Sequence, residues 1–527
     1  MNAKIDSGTP PKRVNVKQKS KQEVIVNRLI SATLEGVNAK VVEVEATFTK
    51  GLPGFAVVGL ANSDIQEAKE RVKSALLVNE FVFPPLKITV NLSPSEIKKS
   101  GSHFDLPLAL LVALNKQSFE ADGLFVFGEL GLDGKVKSSS MIFPLILSLK
   151  EQGLIKKAIV PQEAIVYLSH ISGIEFVAVE TLSEAITLLR SGTFNSNVQQ
   201  FDYDAKSLKI HNTTYYYEEE YAGDFKEVKG QLVAKRAALI AAAGMHNLFM
   251  EGNPGCGKSM IAKRIKDILP PMEEAELLSV AKHQFLDGQE PDFRAKRPMR
   301  SPHHTATSAS IFGGGSGQAK IGEVALASSG LLFFDEIPHF SKNILEAMRE
   351  PLQDRKVLIA RVQSKIEYDA DIMFVAAQNP CPCGNLLSKV KLCRCSEQEI
   401  KRYKNKLSDP FLDRIDIFVV MQEVENTDRA DVSSASMHQA VIEAFMMQKN
   451  RGQKQLNGKL SEEEIEQICK LSKDAQGVLD RAISKFALSH RSIGSVKKVA
   501  RTIADLNAHK KIEKKDILEA LSYRRRT

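Results

Sequence analysis

From residue 27 to residue 191 the chain runs in short apolar stretches broken by polar ones. "KVVEVEATF" and "LKITVNL" alternate with a period of two, which predicts half-buried strands. "SDIQEAKERVKSALL" spaces its apolar residues as a helix does, with Ser63 and Gln66 or Glu67 placed to cap its start. "LPLALLVAL" and "MIFPLILSL" are apolar throughout and read as buried elements, as do the strand-like "LFVFGELGL" and "KKAIVP". The pattern predicts an α/β unit over 27–191. Residues 192–224 are polar and irregular and read as a linker, with "YYYEEEY" either solvated or a docking patch. From 225 to 424 strands alternate with helices: "HNLFMEG", "GLLFFDE" and "DIMFVAAQN" are apolar runs ending in polar residues. Residues 425–527 are helical in pattern, through "SEEEIEQICKLS", "KDAQGVLDRAISKFAL" and "SVKKVARTIADL". Residues 1–26 are polar and basic and are expected to form a flexible tail.

At 527 residues the chain exceeds what one core organises. Its 43% hydrophobic and 26% charged residues are ordinary for a soluble protein. No apolar run approaches the roughly 18 residues of a membrane span, and the N-terminus has no secretory apolar region. The expected location is therefore cytoplasmic, without a membrane partner. The net charge of +8 is mild, but it is unevenly placed. Residues 1–26 carry six Lys/Arg against two acids, 389–406 carry seven against two, and the chain ends "SYRRRT". Such clusters suit a phosphate backbone, and equally a solvated tail or face.

One stretch carries specific chemistry. Gly252-Asn253-Pro254-Gly255-Cys256-Gly257-Lys258-Ser259, followed by Met260, fits G-x-x-x-x-G-K-[ST] between an apolar strand and a helix. Glycines let backbone N–H groups wrap phosphates, the helix N-terminus adds its dipole, the lysine reaches the β/γ-phosphates and the serine ligates Mg²⁺. "GLLFFDEI" then offers Asp335 for Mg²⁺ and Glu336 to polarise the attacking water. ATP and Mg²⁺ are the expected cofactors. The strand "FVAAQN" ends in Asn379, a candidate for orienting that water, and "DPFLDRID" carries Arg414. Arg414 suits an arginine finger given to a neighbouring subunit, or a salt bridge to Asp413 or Asp416.

The phosphate loop, "RPMRSPHHTATSASIFGGG", "GLLFFDEIPHF", "LEAMREPLQD", "FVAAQNPCPCG" and "LDRID" resemble the magnesium-chelatase-like AAA+ ATPases, and more narrowly the bacterial ComM/YifB branch. N-terminally the resemblance continues through "GLPGFAVVGL", "ITVNLSPSEIKKSGSHFDLPLAL" and "GELGLDG". It implies an AAA+ P-loop domain over 225–424, a helical lid over 425–527, and a ring, a homo-hexamer by expectation. It also makes Asn379 sensor 1, Arg414 the finger supplied in trans, and Arg491 the lid's sensor 2 arginine. The family often has His-Arg where this chain has Gly494-Ser495, so the lid's other basic contacts stay open.

The 27–191 unit resembles the Lon protease domain, of ribosomal-S5-like fold. Aligned with it, His103 stands where the nucleophilic serine belongs and Phe143 near where the lysine belongs, while Ser100, Ser102 and Lys135 fall out of position. Without that pair the hydroxyl has no base, and the unit is expected to be non-proteolytic. Cys381, Cys383, Cys393 and Cys395 form C-x-C, nine residues, C-x-C. That set suits a structural Zn²⁺ or reduced thiols packing a loop, and the usual zinc spacing is C-x₂-C. His283, His303 and His304 read as loop residues rather than a second metal site. The resemblance implies a helicase promoting branch migration on single-stranded or branched DNA in the recombination of transforming DNA, with recombination proteins as partners. In that reading the insert from Arg297 to Gly317 and a hairpin bearing Arg355, Lys356, Arg361 and Lys365 line the pore. The alternatives are a remodelling subunit of magnesium-chelatase type acting on a protein, and an unfolding chaperone with Phe312 as its pore residue.

Overall fold

The computed structural model describes residues 27–115, 117, 119, 121–196, 198, 201, 203–314, 320–360, 365–423 and 432–525, the side chains of 360 and 365 excepted. The 1–26 tail, the end of the insert, Arg361 and Arg526 lie outside these residues, as does the side chain of Lys365.

The first unit is a mixed seven-stranded sheet. Its spatial order is Gly54–Val58, Lys87–Ser93, Asn38–Thr49, Asn27–Glu35, Leu124–Val126, Lys157–Pro161, Glu175–Val179. The long pair Asn27–Glu35 and Asn38–Thr49 is antiparallel, and the last four strands run parallel to one another. The two apolar runs form the helices Asp105–Ala113 and Ile142–Glu151, buried on nearly every side against opposite faces of the sheet. The helix Ser63–Val78 is capped one residue earlier than expected. Asn62 Oδ1 accepts the Ile65 N–H at 3.2 Å, while Gln66 turns away to the Val57 carbonyl. Asparagine caps as well as serine, and here it is the residue that precedes the helical backbone.

The stretch after residue 192 is not simply irregular. Lys206–Ile210 and Thr213–Tyr217 form a hairpin that adds Met272–Glu273 as a third strand. Tyr215 is buried edge-on against Phe445 at 5.0 Å, and this aromatic anchor docks the segment onto the C-terminal helices. Nearby, the helix Glu274–Leu286 inserts Leu278, Ala281 and Phe285 into the core of the first unit, with Phe285 and Phe143 5.0 Å apart.

The second sheet has five parallel strands in the order Met299–Arg300, Leu331–Phe334, Met373–Gln378, Leu248–Gly252, Ile417–Met421. The strand that feeds the glycine loop is therefore internal, with apolar layers on both faces. One layer includes the helix Leu232–Gly244 and five C-terminal helices between Ser434 and Ser522. No helix among the described residues is long and apolar enough to cross a membrane.

A buried polar knot ties this sheet to the C-terminal helix His490–Leu506. Asn247 donates to the Arg414 carbonyl at 2.9 Å and accepts the Phe374 N–H at 3.0 Å. Asp416 accepts the Asn247 N–H at 3.2 Å and the Ser495 hydroxyl at 2.8 Å, and lies 3.6 Å from Lys498 Nζ. Burial works to raise the Asp416 carboxyl, but Lys498, His246 and Ser495 prevail and hold it well below the usual carboxylate range. The stability it contributes is thus fully present above the unfolded carboxylate value of about 4 and is lost only as pH falls through the depressed native value. Asp416→Ala is expected to cost about 3–5 kcal/mol, since it leaves Lys498 without its buried anion. Thermal melts of both proteins should show that deficit unchanged between about pH 5 and pH 8; a deficit that vanishes within this window would contradict the assignment.

Candidate nucleotide site

The internal strand ends at Gly252, and the chain turns through Gly255 and Gly257 before the helix Lys258–Ile265 begins. Gly257 has φ of +97°, where an L side chain is strained even though the space around it is open. This turn delivers Lys258 and Ser259 to the carboxyl end of the sheet, where open α/β sheets bind ligands.

Four of the candidate residues meet there. Lys258 Nζ donates to the Gly252 carbonyl at 2.5 Å, the Asn253 carbonyl at 2.9 Å and Asn379 Oδ1 at 3.1 Å. Burial pulls its ammonium below the ordinary lysine value. Ser259 Oγ donates to Asp335 Oδ2 at 2.7 Å. Asp335 also accepts the Glu336 N–H at 2.9 Å, which fixes the carboxylate. Glu336 itself is exposed, with φ of +49°, a strained backbone at the rim of the site. Cys256 is a buried residue beneath the loop, and Met260 is exposed on the following helix turn.

The two candidate arginines are elsewhere. Arg414 and Arg491 converge on one amide oxygen, Gln353 Oε1, at 2.6 and 3.0 Å. Arg414 further donates to the carbonyls of Arg349, at 3.0 Å, and of Pro410. Among the described residues no ion pair joins Arg414 to Asp413 or Asp416. Burial lowers the Arg414 guanidinium below its ordinary value, and the charges of Arg491 and Arg349 add to this. Both arginines line a cavity of about 380 Å³, shared with Gln353, His490 and Lys498, whose lining includes no residue of the 252–260 loop.

The cysteines form a third cluster. The four sulfurs lie within 4.8 Å of one another, with Cys381–Cys383, Cys381–Cys393 and Cys383–Cys393 at 3.4, 3.7 and 3.6 Å, and none is in a disulfide. Backbone N–H groups of Asn385 and Arg394 point at the Cys383 sulfur and hold its thiol down, to about 6. Among the described residues this is the one group of three or more metal-ligating side chains. The rings of His303 and His304 are tilted against each other with centroids 4.1 Å apart, whereas His283 is not a loop residue: it lies in the helix Glu274–Leu286, where burial holds it down to about 4.

Several residues at these places escaped sequence reasoning. Glu251 accepts Gln378 Nε2 at 2.6 Å and Lys404 Nζ at 3.1 Å. Glu423 accepts Asn253 Nδ2 at 3.0 Å. Glu251 directly precedes the motif and could have been noticed; Glu423 and Gln353 are marked by nothing local.

Three sequence profiles match most of the chain. The profile described as "Magnesium chelatase, subunit ChlI" matches residues 224–429, "Subunit ChlI of Mg-chelatase" matches 44–164, and "Magnesium chelatase, subunit ChlI C-terminal" matches 431–524. The Competence protein ComM of Haemophilus influenzae is 35% identical over 499 residues, covering 93% of this chain and 95% of that protein. The chain belongs to the ComM/YifB family of magnesium-chelatase-like proteins. Two further members are YifB of Salmonella typhimurium, 34% identical with 93% and 95% covered, and Mb2921c of Mycobacterium bovis, 32% identical with 95% and 98% covered. Membership in this AAA+ ATPase family implies ATP and Mg²⁺ as ligands and an oligomeric working state.

Gly257→Ala should lower stability by about 1–3 kcal/mol, because the added Cβ has room and only the positive φ is penalised. Differential scanning calorimetry reads this as a lower melting temperature; an unchanged melt would mean the turn relaxes freely.

Proposed function

We propose that the chain is the ATP-hydrolysing subunit of a ring, a homo-hexamer, that drives DNA through branch migration during recombination of transforming DNA. One observation supports the motor: Arg414 and Arg491 line a cavity that includes no residue of the chain's own phosphate loop, as a finger given to a neighbouring subunit's nucleotide would. The Gly252–Met260 loop cradles the phosphates, Lys258 neutralises the β/γ oxygens, and Ser259 with Asp335 holds Mg²⁺. Glu336 polarises the attacking water and Asn379 orients it. Arg414, with Arg491 of the helical lid, stabilises the charge that develops on the transferred phosphoryl group.

The DNA reading draws on the name of the Haemophilus relative and on the distribution of positive charge. Lys342, Lys401, Arg402 and Lys406 line one groove, where cations can follow a phosphate backbone. The hairpin contributes less than its sequence suggests. Lys356 pairs with Glu367 at 2.5 Å and Arg355 donates to Gln455 at 3.0 Å. The first unit is a Lon-like, non-proteolytic domain. His103 and Phe143 are core residues, and the Ser102 hydroxyl donates to Glu129 rather than facing a lysine. Recombination proteins are its partners in this setting.

The four cysteines hold a structural Zn²⁺. Zn–S bonds of about 2.3 Å in a tetrahedron separate sulfurs by about 3.8 Å, close to the spacings observed.

ATP hydrolysis with and without forked or four-way DNA tests the function. Wild type should be strongly stimulated, and Lys258→Ala and Glu336→Gln should each lose about 10² or more of the rate. Robust hydrolysis indifferent to every DNA would end the DNA reading in favour of a remodelling subunit acting on protein.

A further inference from the structure

We propose that zinc in the cysteine knuckle sets the nucleotide affinity of the phosphate loop. This rests on the readings of the loop as an ATP site and of the cysteines as a Zn²⁺ site.

The knuckle is joined to the loop at four points. Cys381 is buried two residues beyond Asn379, whose side chain accepts Lys258 Nζ at 3.1 Å. Gly384 donates its N–H to the Cys381 carbonyl at 3.0 Å with φ of +80°, and packs so closely on Pro254 that a Cβ would lie 2.7 Å from the ring. Glu423 bridges the two segments, with one oxygen taking Asn253 Nδ2 at 3.0 Å and the other taking the Lys389 N–H at 3.0 Å. Past Cys395, Ser396 caps the helix Glu397–Lys404, and that helix returns Tyr403, whose hydroxyl accepts the Asn379 N–H.

The segment from 381 to 395 thus leaves the tip of one sheet strand and comes back to it. Apart from thiol contacts, little closes the knuckle itself. Val390 and Leu392 at its far end are almost fully exposed, so it has no apolar core there. A tetrahedral ion would supply the missing closure, binding the first cysteine pair to the second. With the ion in place, Gly384 and Lys389 are fixed, and through Pro254, Glu423 and Tyr403 so are the loop carbonyls and Asn379. Without it, these contacts must be ordered at the cost of nucleotide binding.

Coupling between two binding sites is reciprocal. Zinc removal should weaken nucleotide binding on the order of tenfold, and bound nucleotide should tighten zinc retention by the same factor. The experiment uses the full chain in excess Mg²⁺. Metal is measured by plasma emission, and the Kd of a fluorescent ADP analogue is measured before stripping with a zinc-selective chelator, after it, and after Zn²⁺ is returned. The account expects one zinc per chain, absent in a Cys393→Ser/Cys395→Ser variant, with the affinity lost on stripping and recovered on reloading. Glu423→Ala should keep its zinc and still bind the analogue more weakly, which holds the test open if stripping unfolds the chain. Zinc-free protein would overturn the metal reading. Bound zinc with an unchanged Kd on stripping and in Glu423→Ala would overturn the coupling alone. Failure to bind the analogue in any form would overturn the nucleotide site beneath both.

Discussion

A phosphoryl group needs positive charge on more than one side, and a single copy of this chain holds its cations in two separate places. At the sheet edge Lys258 and Ser259 face Asp335 and Asn379 within hydrogen-bonding distance. In the other place Arg414 and Arg491 share one neutral amide oxygen, and burial, followed by the nearby Arg491 charge, lowers the Arg414 guanidinium below its ordinary value. Asp413, Asp416, Glu462 and Glu466 share that cavity, yet neither guanidinium is paired with a carboxylate among the described residues, so both can donate to an arriving phosphate. Different parts of the fold brace these two clusters.

The arginine half is braced from below. Asn247, at the start of the central strand, is bonded to the Arg414 carbonyl, and Asp416, two residues on, is bonded to Ser495 on the helix that begins with His490 and Arg491. The same strand that ends in the phosphate loop therefore begins in the arginine brace. On that helix Ser495 is buried and committed to its bond with Asp416. The lysine half is braced from the side by the knuckle and Glu423. Under the proposed shared site, one strand would link the two clusters and could carry a nucleotide's effect from one subunit to the next.

Local chemistry explains what could be read in advance. The glycine loop, its flanking strand and helix, the acidic strand end and the 356–369 hairpin are encoded by neighbouring residues, so period and turn chemistry reveal them. The hairpin at 206–217 is hidden in the sequence because its strands are short and only Ile210 and Tyr215 are buried, packing with Phe445. Glu423 and Gln353 were hidden because their partners lie far away in sequence, 170 residues in the case of Asn253. For the cysteines, the C-x-C spacing fits zinc less well than C-x₂-C does, and the convergence of all four sulfurs depends on how the loop folds back toward Tyr403.

The division of the site between copies is tested most directly by mixing two inactive proteins. Lys258→Ala lacks a working loop but keeps Arg414; Arg414→Ala has the reverse defect. If each site is completed by a neighbour, co-assembled mixtures should recover ATP hydrolysis that neither variant has alone, at interfaces pairing an intact loop with an intact arginine. Mixtures as inactive as their components, in rings shown to contain both, would contradict the account and place Arg414 outside the reaction.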